Sequence, residues 1–141
     1  MPANAHLVIA TGPLVALLDR SERNHVACVE IVRNWRGKIV TTEAVLTEAL
    51  YLLSSTWHAQ QNCLELFTRE AILLIPPTPE TLRRIATLMK KYQDVPMDYA
   101  DATLVVLCEE LDTNAIFTLD RRGFSVYRMN QRKPFVVLPF A

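Results

Sequence analysis

Four carboxylates stand where their type and spacing suit chemistry: Glu48, Asp98, Asp101 and Asp120. Asp98 and Asp101 are three residues apart, so they share one face at the start of a helical run over 98–111. Glu48 lies among Ala44, Val45, Ala49 and Leu52, neighbours at helical spacing, which places it on the apolar side of a helix. A carboxylate there is costly unless it is paired, neutralised or metal-bound. Asp120 closes the apolar run Ile116-Phe117-Thr118-Leu119. Each acid also has a purely structural use. Asp98 fits a helix N-cap with Asp101 in the first turn, Asp120 suits a turn, and Glu48 can reach water from the edge of the apolar stripe. Taken together, three separate elements carry carboxylates to one region. Such an oxygen-rich set suits Mg²⁺ or Mn²⁺, and a cation so held generates hydroxide and stabilises charge on a phosphodiester.

Other chemistries find little support. There is no glycine-rich phosphate loop, no Gly-x-Ser-x-Gly elbow, and His6, His25 and His58 are scattered. Cys28, Cys63 and Cys108 are far apart and set among apolar neighbours, which predicts reduced, mostly buried thiols rather than a zinc site. The 141 residues are half apolar and formally neutral, which excludes a disordered chain and a broadly basic nucleic-acid binder. The charge is segregated, however. Residues 1–93 carry ten bases and eight acids, residues 94–120 seven acids and no base, and residues 121–141 five bases and no acid. The N-terminus has no basic run ahead of its short apolar stretch, and no apolar run approaches the ~20 residues of a membrane helix. The expectation is one domain over 1–141, soluble and cytoplasmic.

The elements that must position the acids follow from the pattern. Short apolar runs at 7–10, 38–41, 72–75, 115–118 and 135–138 read as buried strands. Helical spacing covers 14–20, 22–35 (capped by Ser21), 43–54, 57–69, 80–92 and 98–111. Continuously apolar strands separated by helices imply a parallel sheet covered on both faces. The predicted fold is a three-layer α/β/α domain with four to five parallel strands, its ligands beyond the carboxyl ends where strand order reverses.

Four ordered blocks carry a resemblance: Leu7-Val8-Ile9-Ala10-Thr11-Gly12-Pro13, Thr41-Thr42-Glu43-Ala44-Val45-Leu46-Thr47-Glu48-Ala49, Asp98-Tyr99-Ala100-Asp101-Ala102, and Thr118-Leu119-Asp120-Arg121-Arg122-Gly123-Phe124. Over nearly its whole length the chain resembles PIN-domain ribonucleases, in particular the VapC-like toxins of prokaryotic toxin–antitoxin modules. The resemblance implies Mg²⁺- or Mn²⁺-dependent endonucleolytic cleavage of RNA, homodimerisation and inhibition by an antitoxin protein. It carries over Glu48, Asp101 and Asp120 as catalytic and metal-binding residues, with Asp98, Thr118 and Thr11 in support. The family has an Asp where this chain has Ala10. A methyl cannot ligate a hard cation, so the expectation is an impaired nuclease; the alternative is a catalytically inactive module that binds RNA or a protein. Some relatives also have an acid at the position of Gly123.

Two surfaces complete the reading. Arg121, Arg122 and Arg128 follow Asp120, interleaved with Phe124 and Tyr127; the bases suit RNA phosphates and the aromatics suit stacking. Arg128 is alternatively a neutraliser of the acids, and Phe124 a core residue. The runs 43–54 and 57–69 hold more apolar surface than one side of a thin sheet needs, with Tyr51 and Trp57 among it. That excess suits a dimer mate or an antitoxin helix.

Overall fold

The computed structural model describes residues 5–140, so Met1–Asn4 and Ala141 lie outside the described residues, and with them most of the N-terminal stretch read above. Leu7–Ile9 form β1, and each of the three side chains is fully buried. Helix α1 spans Thr11–Leu18 and α2 His25–Asn34. Then follow β2 (Ile39–Thr42), α3 (Glu43–Leu52), α4 (Trp57–Thr68) and β3 (Leu73–Ile75). Helix α5 covers Pro79–Lys91, α6 Tyr99–Leu111 and β4 Ala115–Phe117. The C-terminal part holds a one-turn helix α7 (Arg121–Phe124), a hairpin of β5 (Arg128–Met129) and β6 (Lys133–Pro134), and β7 (Val136–Leu138).

The sheet runs β3-β2-β1-β4-β7 with every pair parallel, so the expected three-layer α/β/α architecture takes its five-stranded form. From β1 the chain builds outward through β2 and β3, then crosses to β4 and β7 on the other side. Strand order therefore reverses between β1 and β4. Their carboxyl ends are Ile9 and Phe117, tied by the Ala10 N–H donating to the Phe117 carbonyl at 2.9 Å. In an open parallel sheet that crevice is where ligands bind.

Helix α6 runs through the centre of the fold, packed on α5 and on β1 and β2, and every residue from Ala102 to Cys108 is buried. That explains its continuous apolar sequence, which shows no polar face. Helix α1 packs on α2, α3 and α4. All three cysteines are buried, and burial pushes the Cys28 and Cys63 thiols up to about 11. Two boundaries differ from the sequence reading. Helix α1 begins at Thr11 with Pro13 inside its first turn, and α2 begins at His25 rather than after Ser21. Ser21 instead donates from its backbone N–H and its hydroxyl to Asp19, forming a local turn that competes with a helix start. His25 Nδ1 lies 2.7 Å from the Ala16 carbonyl and joins α2 to α1. The segment after Asp120, read only as a basic stretch, forms α7 and the β5–β6 hairpin.

Candidate active site

Ala10 follows β1 directly and N-caps α1 without a side-chain bond, 8% exposed. Its methyl thus lies at the topological switch point itself. Thr11, the first residue of α1, donates its hydroxyl to Glu48 Oε1 at 2.5 Å. Glu48 lies on α3 but is exposed. The expectation of an inward-facing carboxylate is corrected here: Val45 and Ala49 take the buried face, while Glu48 stands at the edge of the stripe and reaches across to α1.

The remaining acids stand at the start of α6 and after β4. Asp98 caps α6, its Oδ1 accepting the Asp101 N–H at 2.8 Å. Asp101 is half-buried, and its Oδ2 accepts the Tyr127 hydroxyl at 3.2 Å. Asp120 follows β4 and caps α7, with Oδ1 accepting the Gly123 N–H at 3.3 Å. Buried Thr118 fixes that turn, its hydroxyl oxygen accepting the Asp120 N–H at 3.0 Å. Gly123 is required by space. A Cβ there would stand 2.9 Å from the Tyr127 hydroxyl and 3.0 Å from Asp120 Oδ2. The Tyr127 hydroxyl is bonded to Asp101, and Asp120 Oδ2 stands with that hydroxyl around the space a side chain at Gly123 would fill. Burial, and then the charges of Asp98 and Asp120, push the Asp101 carboxyl up to about 7, while the Tyr127 hydrogen bond works in the opposite direction.

The donor set consists of hard oxygens, and Asp120 stands near enough to Asp101 for its charge to raise the Asp101 carboxyl. Both features fit a divalent cation that keeps most of its waters and takes one or two carboxylates. Among the described residues no three acidic, histidine or cysteine side chains come close enough to hold an ion as a ready-made cage. Glu48 is thus not gathered with Asp101 and Asp120. It stays with Thr11, across the space that Ala10 leaves uncharged.

The basic residues divide. Arg121 and Arg122 are exposed next to Asp120, and neither forms an ion pair among the described residues. Arg128 turns its Nη1 to the carbonyls of Ser125, Val126 and Tyr127 at 2.9, 3.0 and 2.9 Å, so it braces the turn after α7 and forms no ion pair with the acids. Tyr127 is 1% exposed, packed edge-on against Tyr92 and Phe124, which removes it from any stacking surface. Sequence reasoning missed its bond to Asp101, because 26 residues separate the two and no local pattern links them. Not every acid of the 94–120 segment serves the site. Glu109 accepts a two-pronged ion pair from Arg84, Nε–Oε1 at 3.0 Å and Nη2–Oε2 at 2.9 Å, and also the Asn130 N–H. On α3 and α4, Tyr51, Leu52 and Trp57 are 76%, 57% and 65% exposed and form an apolar surface.

The chain is similar to known proteins in sequence and in fold. The family model described as PIN domain matches residues 7–129. Ribonuclease VapC26 of Mycobacterium tuberculosis is 31% identical over 135 residues, covering 94% of this chain and 100% of that protein. Among solved structures, the sarcin-ricin-loop-cleaving toxin VapC20 of Mycobacterium tuberculosis superposes with a TM-score of 0.77 at 14% identity, over 86% of this chain and 95% of that one. A toxin–antitoxin complex from Klebsiella pneumoniae gives 0.68 at 14% identity, over 85% and 91%. VapBC2 from Rickettsia felis, bound to a promoter DNA fragment, gives 0.63 at 15% identity, over 94% and 96%.

Proposed function

The chain belongs to the PIN-domain family, and from that premise we propose that it is a toxin-type endoribonuclease scaffold whose cleavage is impaired by Ala10. The observation that carries this reading is the switch point of the sheet, where Ala10 after β1 is bonded through its N–H to the end of β4 and Asp120 follows that strand. The resemblance to a ribonuclease at 31% identity supports RNA as the substrate.

Asp101 and Asp120 are the residues that would hold Mg²⁺ or Mn²⁺, with Glu48 joining once an acid stands at position 10. When bound, the cation supplies a hydroxide nucleophile and neutralises charge on the scissile phosphodiester. The chain's own residues do the positioning. Asp98 fixes the first turn of α6 that presents Asp101, and Thr118 fixes the backbone that presents Asp120. Tyr127 orients the Asp101 carboxylate by a single hydrogen bond. Exposed Arg121 and Arg122 would take the RNA phosphates, a role that Arg128 shares less readily with its Nη1 committed to three carbonyls.

A second reading, an inactive module that binds RNA or a protein, is favoured by the same Ala10, whose methyl offers nothing to a cation. The exposed Tyr51, Leu52 and Trp57 surface suits an antitoxin helix or a second copy of the chain, and two structural relatives are toxin–antitoxin assemblies. No helix among the described residues is long and apolar enough to cross a membrane. The deciding experiment is Ala10→Asp with a single-stranded RNA and Mg²⁺ or Mn²⁺. Cleavage should rise by at least the roughly 10–100-fold that even an outer-shell partner of a metal contributes. Equal activity in both forms would sink the nuclease reading.

A further inference from the structure

We propose that Tyr92 is a positioning residue for the acidic site: it holds the Tyr127 hydroxyl where its proton reaches Asp101. The inference rests on the reading of Asp101 as part of an RNA-cleaving site and names a further residue on which that site depends. Among the described residues one side chain donates to Asp101, the Tyr127 hydroxyl at 3.2 Å, and a phenol has a single proton to give. The same hydroxyl lies 3.4 Å from the Pro96 carbonyl, a second acceptor for that proton. Both distances exceed the about 2.7–2.8 Å usual for a hydroxyl donor, so neither acceptor holds the proton firmly. A displacement of about half an ångström commits it to one acceptor or withdraws it from both. The placement of the Tyr127 ring therefore decides whether Asp101 keeps its donor.

Tyr92 fixes that placement from two directions. It is buried and ends α5. Its hydroxyl oxygen accepts the Arg128 N–H at 3.1 Å, which ties the backbone directly after Tyr127 to α5. Its ring meets the Tyr127 ring edge-on, with centroids 5.1 Å apart. The turn so tethered moves as one piece, because Arg128 Nη1 gathers the carbonyls of Ser125, Val126 and Tyr127 around itself. The competing acceptor is set by the same residue. The Tyr92 carbonyl accepts the N–H groups of Val95 and Met97, at 3.0 and 3.2 Å, and these two residues flank Pro96. That turn leads directly into Asp98, the cap that presents Asp101.

Tyr92→Phe is the discriminating change. It keeps the ring and deletes only the oxygen that accepts the Arg128 N–H, so the turn loosens against α5 while the core stays filled. The Tyr127 hydroxyl then samples more positions, and its weak bond to Asp101 is populated less. Among the described residues Tyr92 shares no hydrogen bond with Asp101, so the effect passes through Tyr127. A Tyr92 that served packing alone would act on stability and leave Asp101 untouched.

The test compares Tyr92→Phe made alone and beside Tyr127→Phe, in the full chain with chelator present. Alone, Tyr92→Phe should move the amide resonances of Asp101 and Ala102, as Tyr127→Phe does. Beside Tyr127→Phe it should add shifts at Arg128 and its turn and none at Asp101. Circular dichroism should stay unchanged in all three variants. In chains that also carry Ala10→Asp, with Mn²⁺ and a single-stranded RNA, Tyr92→Phe should lower kcat and leave KM unchanged. The loss should be roughly 3- to 10-fold, at or below the low end for an outer-shell partner of a metal ligand. Tyr127→Phe should lower kcat at least as far, and the double change no further. Asp101 resonances unmoved by Tyr92→Phe, equal movement with and without the Tyr127 hydroxyl, or losses in kcat that multiply would each overturn the proposal. If the Ala10→Asp chain cuts no RNA, the nuclease reading falls and the resonances alone decide the role of Tyr92.

Discussion

The two banks of the crevice are built on opposite principles. On the β1 bank Ala10 is neutral, and Glu48 is an exposed acid held by a single hydroxyl of Thr11. On the bank formed by α6 and the turn into α7, Asp98, Asp101 and Asp120 act on one another, and burial first, then the charges of Asp98 and Asp120, push Asp101 up to about 7. The bank without a carboxylate at position 10 carries no such penalty, whereas the other is held up by burial first and by like charge second. The difference shows where a cation would act most strongly on stability, which is beside Asp101 at the start of α6. It also shows what is missing from the centre.

The largest expected effect comes from abolishing the difference. Ala10→Asp places a carboxylate at a position only 8% exposed. Without metal that uncompensated buried charge should cost on the order of 3 kcal/mol. Millimolar Mn²⁺ should recover most of the loss in the variant and change the parent chain much less. Thermal melts with and without Mn²⁺ read this directly, and a variant as stable as the parent in chelator would mean that position 10 faces solvent.

Next in size is the contact that organises the crowded bank. Gly123→Ala drives a methyl into the Tyr127 hydroxyl and Asp120 Oδ2, and overpacking of this kind costs roughly 1–3 kcal/mol. Tyr127→Phe removes one side of the clash at the cost of a hydrogen bond, about 1 kcal/mol. The double variant should therefore lose less than the sum of the singles. Strict additivity in denaturant melts would show that the two residues do not share that space.

How much of this could be read from the residues differs by bank. The five sheet strands and six longer helices were legible, because buried parallel strands read as apolar runs and helices repeat at 3.6. Asp98, Asp101 and Asp120 were legible as caps and strand-end acids, since capping is local. Helix α7 and the β5–β6 hairpin were not, because a four-residue helix and two-residue strands carry no periodicity. The exposure of Glu48 escaped for a related reason: an acid beside an apolar stripe satisfies the pattern whether it turns in or out, and only Thr11 on another helix settles it. Tyr127 and Arg128 were assigned to RNA by composition, whereas Tyr127 has a tertiary partner in Asp101 and the Arg128 Nη1 turns back on the carbonyls of its own turn.

Titration separates the banks at a smaller scale. The Asp101 carboxyl moves from 3.8 to about 7 on folding, so the folded chain binds the proton more tightly than the unfolded one. Folding takes up a proton between those values, and stability in the absence of divalent cation should fall as pH rises through that window. Asp101→Asn removes the slope. The variant should match the parent near pH 3.5 and exceed it at pH 8, by on the order of 1 kcal/mol once solvent screening of a half-buried group is allowed for. A parent chain with no such pH dependence, measured in chelator, would show that neither burial nor the charges of Asp98 and Asp120 penalise the Asp101 carboxylate.

The smallest effect belongs to the relaxed bank. Thr11→Val keeps the shape of the first residue of α1 and deletes the hydroxyl that holds Glu48. Glu48 is exposed and water replaces the lost donor, so the cost should be no more than about 0.5 kcal/mol, the low end for a hydrogen bond. The informative comparison is the same change made beside Ala10→Asp with Mn²⁺ present. If Thr11 holds Glu48 away from an ion, releasing it should lower the Mn²⁺ midpoint. If Thr11 holds Glu48 in place for the ion, releasing it should raise that midpoint. An unchanged midpoint would place Glu48 outside the site altogether and leave Asp101, Asp120 and the new acid to hold the cation alone.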